Sequence, residues 1–216
     1  MKNINKTLEY IRNVKVEEID WSKLFGSYSC GIKIGEDIKN NNLLDLKVLK
    51  NIENEIEHQS TLWTITPFAM IFLIRQLEKD YGDKKEEYCY ILEIYKLIAE
   101  TLKFTKDEAL EENSLTLKFT KDEALEENSF DKLETYEEMK DIFKTNLNLE
   151  DFEDEEEYIE VFFEEEMTDI RYNSVYYYTD LIVKDGKKIL EEISSKKNNY
   201  ADKQIEVLTS SILKIL

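Results

Sequence analysis

The segment between Lys144 and Arg171 has the strongest chemical character in the sequence, because its 26 residues contain twelve carboxylates and no basic side chain. Carboxylates at this density repel one another unless a positive group approaches. They can form a solvated face, a docking surface for a basic protein, or a Ca²⁺ or Mg²⁺ site. The segment lacks the glycine-containing loop of an EF-hand, so we expect neither a metal nor a cofactor.

Tyrosines follow this segment directly. Residues 172–178 contain four phenols, at Tyr172, Tyr176, Tyr177 and Tyr178. Tyrosine offers a large, stiff contact area with a hydrogen-bonding tip, so it is enriched at interface hot spots. Three consecutive helical residues point in different directions, so we expect at least one of the last three to be exposed. The alternative for each tyrosine is packing in the core.

The acidic segment and the tyrosines are predicted to form one composite binding face. Its expected partner-binding residues are Glu153, Asp154, Glu155, Glu156, Glu157, Glu160, Glu164, Tyr172, Tyr176 and Tyr177.

Signatures of catalysis are weak. The sequence has no glycine-rich phosphate loop, nucleophile elbow, HExxH or kinase motif. His58 is the only histidine, and we expect it to cap a carbonyl or pack against Trp63 rather than to catalyse. Cys30 and Cys89 lack metal-binding spacing and are predicted to be buried, reduced thiols. We therefore expect a protein that is not an enzyme.

Helical periodicity predicts the elements that would position these residues. Apolar residues recur at helical spacing near 43–57, 68–79, 86–103 and 205–215. Thr66 and Pro67 resemble a helix N-cap and first-turn proline, and the helix that they open is apolar almost all round, so it should be central. Phe152, Ile159, Phe162 and Phe163 give the acidic segment, at about 150–166, one apolar side.

Composition favours an all-α fold. Five glycines and one proline are too few for a turn-dense β-sandwich or barrel. A charge of −19 excludes a protein that coats nucleic acid, because such proteins neutralise phosphates with cationic groups. The chain has no apolar leader near its start, and its longest uncharged stretch, at 60–74, is too short to span a bilayer. We expect a single domain over 1–216 that is cytoplasmic and does not bind membranes.

A tandem duplication interrupts this pattern. Residues 101–114 recur unchanged at 116–129, so a period of 15 covers 101–130. Each copy carries a Thr-x-x-Glu capping box, Thr105 with Glu108 and Thr120 with Glu123, which predicts a separate short helix in each. Extra length in a surface connection is the simpler interpretation, and a pair of equivalent binding elements is the alternative.

One segment resembles a known family. Residues 57–74 contain His58, Gln59, Trp63, Thr66, Ala69, Phe72 and Leu73 in the order of a His-Gln-Gly turn followed by an Ala-x-x-Pro-Phe-Leu helix. This pattern resembles bacterial HEAT-like repeat proteins of the toxin-immunity type, with Ser60 in place of glycine and Ile71 in place of proline. The resemblance covers roughly 80 residues and implies an α-solenoid of stacked helical hairpins. It also implies a binding role against a secreted toxin domain.

The predicted function is therefore to neutralise a cognate basic protein, most specifically as an immunity protein that binds a bacterial toxin. An acidic mimic of nucleic acid, which would inhibit a nuclease or defence complex, is the first alternative. A structural adaptor whose charge only confers solubility is the second.

Overall fold

The computed structural model describes residues 4–79, 82–117, 139, 142, 145–195 and 203–216. In this part of the chain the fold is predominantly helical, as the sequence predicts, with one two-stranded hairpin. The elements in chain order are α1 (Ile4–Asn13), α2 (Ile32–Lys39), α3 (Leu46–Ile56), β1 (Glu57–His58), β2 (Thr61–Leu62), α4 (Thr66–Leu77), α5 (Lys85–Leu117), α6 (Glu155–Glu165), α7 (Asp169–Ser195) and α8 (Lys203–Ile215).

Helix α4 is the central element. It packs against α3, α5 and α7, while α8 covers α5 and α7. Ten of its twelve residues are buried, which confirms the prediction from its nearly uniform apolar sequence. The helix begins at Thr66, two residues before the predicted start at 68, so its N-cap is Ile65 and not Thr66. The Thr66 hydroxyl donates to the Ile56 carbonyl and accepts from the Trp63 amide. This threonine therefore joins the end of α3 to the start of α4.

The segment that resembles the HEAT-like family begins with the hairpin between α3 and α4 and continues into α4. His58 pairs with Thr61, and the two residues between them, Gln59 and Ser60, have φ values of 51° and 62°. Positive φ at both central positions is the requirement of a type I′ turn, which is usually met by asparagine or glycine. The Glu57 carboxylate accepts from the Ser60 amide at 2.8 Å and so helps to hold this turn without a glycine.

The duplicated segment contradicts one prediction. Helix α5 continues through the whole first copy and ends at Leu117, so no new helix begins at Thr105. Thr105 instead donates its hydroxyl to the Thr101 carbonyl one turn earlier. The first copy contains no glycine or proline, and a break would leave amide groups without partners, so the helix continues. The second capping box, Thr120 with Glu123, lies outside the described residues.

Two clusters of buried side chains hold the fold together. The larger one extends from Ile11 in α1 to Ile212 in α8 and includes Cys89. The smaller one lies beneath α6 and comprises Phe25, Cys30, Tyr158 and Phe162. Both cysteines are buried and free, as predicted. None of the described helices combines the length and apolar character that a membrane span requires.

Candidate functional site

Helix α6 begins with carboxylates that stabilise its own first turn. Asp154 is the N-cap, and its Oδ1 accepts from the Glu157 amide at 3.0 Å. Glu157 returns the interaction, because its Oε2 accepts from the Glu153 amide at 2.9 Å. Carboxylates at a helix N-terminus also interact favourably with the helix dipole. Asp154 and Glu157 therefore have a structural role, although both remain exposed.

Aromatic side chains fix α6 to the body of the protein. Phe25 contacts Phe162 with ring centroids 4.2 Å apart and Tyr158 with centroids 5.0 Å apart. Trp63, which follows the hairpin, packs edge-to-face on Phe163 at 5.2 Å. Burial raises the pKa of Tyr158 to about 12. The acidic segment therefore contains a helix packed on the body of the protein, over Glu155–Glu165 and not over the whole predicted range of about 150–166.

The outer side of α6 is a row of exposed carboxylates. We define the acidic ridge as Glu156, Glu160 and Glu164, which follow one another at four-residue spacing and are all exposed. Each pair of like charges at this spacing costs about 0.2–0.5 kcal/mol of helix stability.

The ion pairs that the structure describes do not include the acidic ridge. Glu166 pairs with Arg171 at 3.3 Å, and no ion pair between described side chains involves Glu156, Glu160 or Glu164. The last turn of α6 contains no basic residue, so Glu164 and Glu165 also face the unfavourable end of the helix dipole. These two carboxylates therefore lower the stability of α6.

Glu155 has a different environment from the ridge. Its Oε1 accepts a weak hydrogen bond from the Cys30 thiol at 3.4 Å. Burial, together with the neighbouring carboxylate, raises the pKa of Cys30 to about 11, so the thiol stays protonated near neutral pH. Glu155 therefore connects α6 to the loop that contains Cys30.

The tyrosines lie mostly in the core, which corrects part of the predicted surface. Tyr176 is 1% exposed, and its hydroxyl accepts from the Leu62 amide at 3.1 Å and from Tyr172 at 3.0 Å. Burial raises the pKa of Tyr176. Tyr178 is also buried, Tyr177 is half-buried, and Tyr172 is 38% exposed.

Tyr176 and Tyr178 are buried and Tyr177 is half-buried, so the expectation that at least one of them is exposed was wrong. The physical reason is that α7 packs against α4 on one side and against α5 and α8 on others, which buries a wide arc of its surface. Of the predicted tyrosines, Tyr172 retains substantial exposure, and Tyr176 cannot contact a partner.

A second exposed feature was missed at the sequence level. Tyr28 is 63% exposed and lies in the turn between Phe25 and Cys30, two residues that form a β-bridge. His58 packs against Tyr28 with ring centroids 5.2 Å apart, and not against Trp63 as predicted. The signal available in the sequence was Glu55, a carboxylate within the apolar stripe of α3 between Ile52 and Ile56.

No group of three His, Cys, Asp or Glu side chains in the described ranges is placed to hold a metal ion. No protein-family model, curated protein or solved structure matches the chain. The resemblance to HEAT-like repeat proteins, and the stacking that it implies, therefore remain predictions.

Proposed function

We propose that this protein is a non-catalytic binding protein that neutralises a cognate basic protein by docking it against the acidic ridge. The observation that carries the proposal is the combination of a buried aromatic seat with an outer row of carboxylates that lacks partners among the described cations. Packing of α6 on the body of the protein lowers the entropic cost of binding, because the backbone that carries the charges is already positioned before the partner arrives.

Electrostatic attraction and steric covering are the two parts of the proposed mechanism. The ridge and the overall charge of −19 speed the encounter with a basic protein. Once docked, the body of the helical domain covers the partner's functional surface. In its most specific form, the partner is the toxic domain of a secreted bacterial protein and this chain is the immunity protein. That form rests on the resemblance at residues 57–74.

The geometry of the ridge favours one second candidate, a mimic of nucleic acid. Glu156, Glu160 and Glu164 extend over about 12 Å of helix axis, or one charge per about 6 Å. Phosphates of one strand in duplex DNA are spaced by about 3.4 Å along the axis, so the ridge places one carboxylate for about every second phosphate. Such a row suits a partner whose binding groove is built for a phosphate backbone.

Charge reversal on the ridge tests both candidates. The test variant carries Glu156→Lys, Glu160→Lys and Glu164→Lys, which leaves the structural residues Asp154, Glu155 and Glu157 in place. The control carries Glu191→Lys, Glu192→Lys and Glu206→Lys, three exposed carboxylates on α7 and α8, and so has the same net charge.

Binding is measured by calorimetry against the purified product of the adjacent reading frame. We expect the ridge variant to bind on the order of 100-fold more weakly and the control to bind within a few-fold of wild type. The ridge variant should also fail to protect cells that express the partner. Equal affinity of the two variants would reject the ridge as the docking surface. Competition by duplex DNA separates the candidates, because a mimic and DNA exclude each other from the partner.

A further inference from the structure

The turn that carries Tyr28 is held by a buried carboxylate. Glu55 is 6% exposed and accepts three hydrogen bonds from this turn, from the Tyr28 amide at 3.0 Å, the Ser29 amide at 3.1 Å and the Ser29 hydroxyl at 2.9 Å. The Glu55 carbonyl accepts a fourth, from the Ser27 amide at 3.1 Å. The backbone on both sides of Tyr28 is therefore fixed.

Gly26 allows this arrangement. A Cβ atom at position 26 would lie 2.2 Å from the Glu55 carboxylate oxygen and 2.9 Å from its carbonyl oxygen. Burying a carboxylate is unfavourable unless its oxygens are well paired. Here every hydrogen bond found for the Glu55 side chain comes from the one turn, so this carboxylate serves to fix the segment that presents Tyr28.

The Tyr28 side chain contributes little to the packing of the fold. It has the highest exposed fraction among the large apolar side chains of the described residues. Its contacts are the ring of His58 and a hydroxyl-to-nitrogen distance of 3.2 Å to His58 Nδ1. A stiff, exposed aromatic on a preorganised backbone is typical of interface anchors, since little entropy is lost when a partner covers it.

The charges around Tyr28 indicate what it would contact. Glu57 adjoins His58 on the hairpin, and Glu155 contacts Cys30, two residues beyond Tyr28. Both side chains are acidic, and both belong to elements that flank the turn. A guanidinium group fits such a place, because it stacks on an aromatic face while its N–H groups remain available to carboxylates. An ammonium group gains less from stacking because it is compact and strongly hydrated.

We infer that Tyr28 is an aromatic anchor, on a turn that contacts the start of α6 through Cys30 and Glu155, and that it receives an arginine side chain of the basic partner. This inference rests on the proposed function and specifies the partner's chemistry at one position. Glu55 acts through the turn as a positioning residue.

The test measures binding of fluorescein-labelled oligoarginine and oligolysine peptides by fluorescence anisotropy. Tyr28→Ala should weaken oligoarginine binding about fivefold and oligolysine binding by less than half as much. Tyr28→Phe should bind like wild type, because the ring is retained. Val207→Ala, which shortens another exposed apolar side chain on α8, should have no effect.

The ridge variant with three lysines is measured in the same assay, so that the two proposals fail separately. If that variant loses binding while Tyr28→Ala does not, the anchor is rejected and the ridge stands. If Tyr28→Ala weakens both peptides equally, the preference for arginine is rejected. If the ridge variant binds both peptides as wild type does, the proposed function fails, whatever the result for Tyr28. Because Tyr28 is exposed, its substitution should leave the melting temperature unchanged, which melting curves verify.

Discussion

At the scale of single residues, Glu55 has the clearest role in stability. Replacement by alanine removes the acceptor for two backbone amides and one hydroxyl in the turn that carries Tyr28. A buried donor left without a partner costs about 1–3 kcal/mol. Because the three donors are only part-buried, we expect Glu55→Ala to lower the free energy of unfolding by about 1–2 kcal/mol, measured by urea denaturation.

Two further variants test whether loss of the hydrogen-bond acceptor is what destabilises Glu55→Ala. Glu55→Gln retains a carbonyl acceptor and should lose less stability than Glu55→Ala. Glu36→Ala removes an exposed carboxylate on α2 and should change stability by less than about 0.5 kcal/mol. If Glu55→Ala were as mild as Glu36→Ala, the assignment of Glu55 as the residue that fixes the turn would be wrong.

Tyr158 gives a pH-dependent prediction. Burial raises its pKa in the folded protein to about 12, whereas an unfolded tyrosine titrates near 10. Between these values the unfolded state releases its proton first, so the contribution of Tyr158 is complete below pH 10 and declines as pH rises toward 12. Between pH 10 and pH 12, the free energy of unfolding should therefore fall by about 2 kcal/mol less in Tyr158→Phe than in wild type. Urea denaturation at several pH values measures the difference, and parallel curves for the two proteins would contradict the prediction.

The residue-scale results also show where sequence information was sufficient. Glu156, Glu160 and Glu164 could be placed on an outer face because their exposure follows from helical spacing against Phe162 and its neighbours. Tyr176 could not be placed in the same way. Its burial depends on a hydrogen bond to Leu62, which is 114 positions away, and on helices packing around α7 from several sides.

At the scale of elements, α6 depends on a small hydrophobic cluster of its own. Phe162 is fully buried in that cluster, together with Phe25 and Tyr158, and Cys30 lies among them. The larger core does not include these residues. We therefore expect α6 to detach from the body at a lower free-energy cost than unfolding of the whole protein.

The reactivity of the two cysteines measures whether α6 detaches separately from the larger core. Phe162→Ala should destabilise the packing of α6 on the body by about 3–5 kcal/mol and make Cys30 reactive toward a thiol reagent. Cys89, in the larger core, should stay protected and serve as the internal control. Mass spectrometry of labelled peptides distinguishes the two sites. Labelling of both cysteines at the same rate in this variant would show that α6 does not detach independently.

The continuity of α5 explains why the helix start predicted at Thr105 was wrong. A capping-box pattern starts a helix only where the preceding helix has already ended, and nothing in the first copy of the duplication ends α5. At Asp154, in contrast, a capping side chain does begin a helix, because this N-cap residue has an extended backbone and follows a short 3-10 turn at Leu149–Asp151. Local motifs were informative where the chain was already interrupted and misleading inside a long helix.

At the scale of the whole molecule, the proposed function depends on the distribution of charge. A net charge of −19 disfavours the compact state through self-repulsion, and the acidic ridge concentrates part of that repulsion on one helix. Composition and spacing were sufficient to predict the sign and the approximate site of this surface. They could not reveal that α6 contacts the loop that contains Cys30, because Cys30 and Glu155 are 125 positions apart in the chain.

The association rate constant with the basic partner tests the central claim most directly. Stopped-flow measurements compare wild type with the variant Glu156→Gln, Glu160→Gln, Glu164→Gln at about 0.01 M and about 0.15 M salt, where the Debye length falls from about 30 Å to about 8 Å. We predict that the wild-type rate falls at least tenfold over this range and that the variant is slower at low salt with a shallower dependence. Identical rates and identical salt dependence for the two proteins would contradict docking on the acidic ridge.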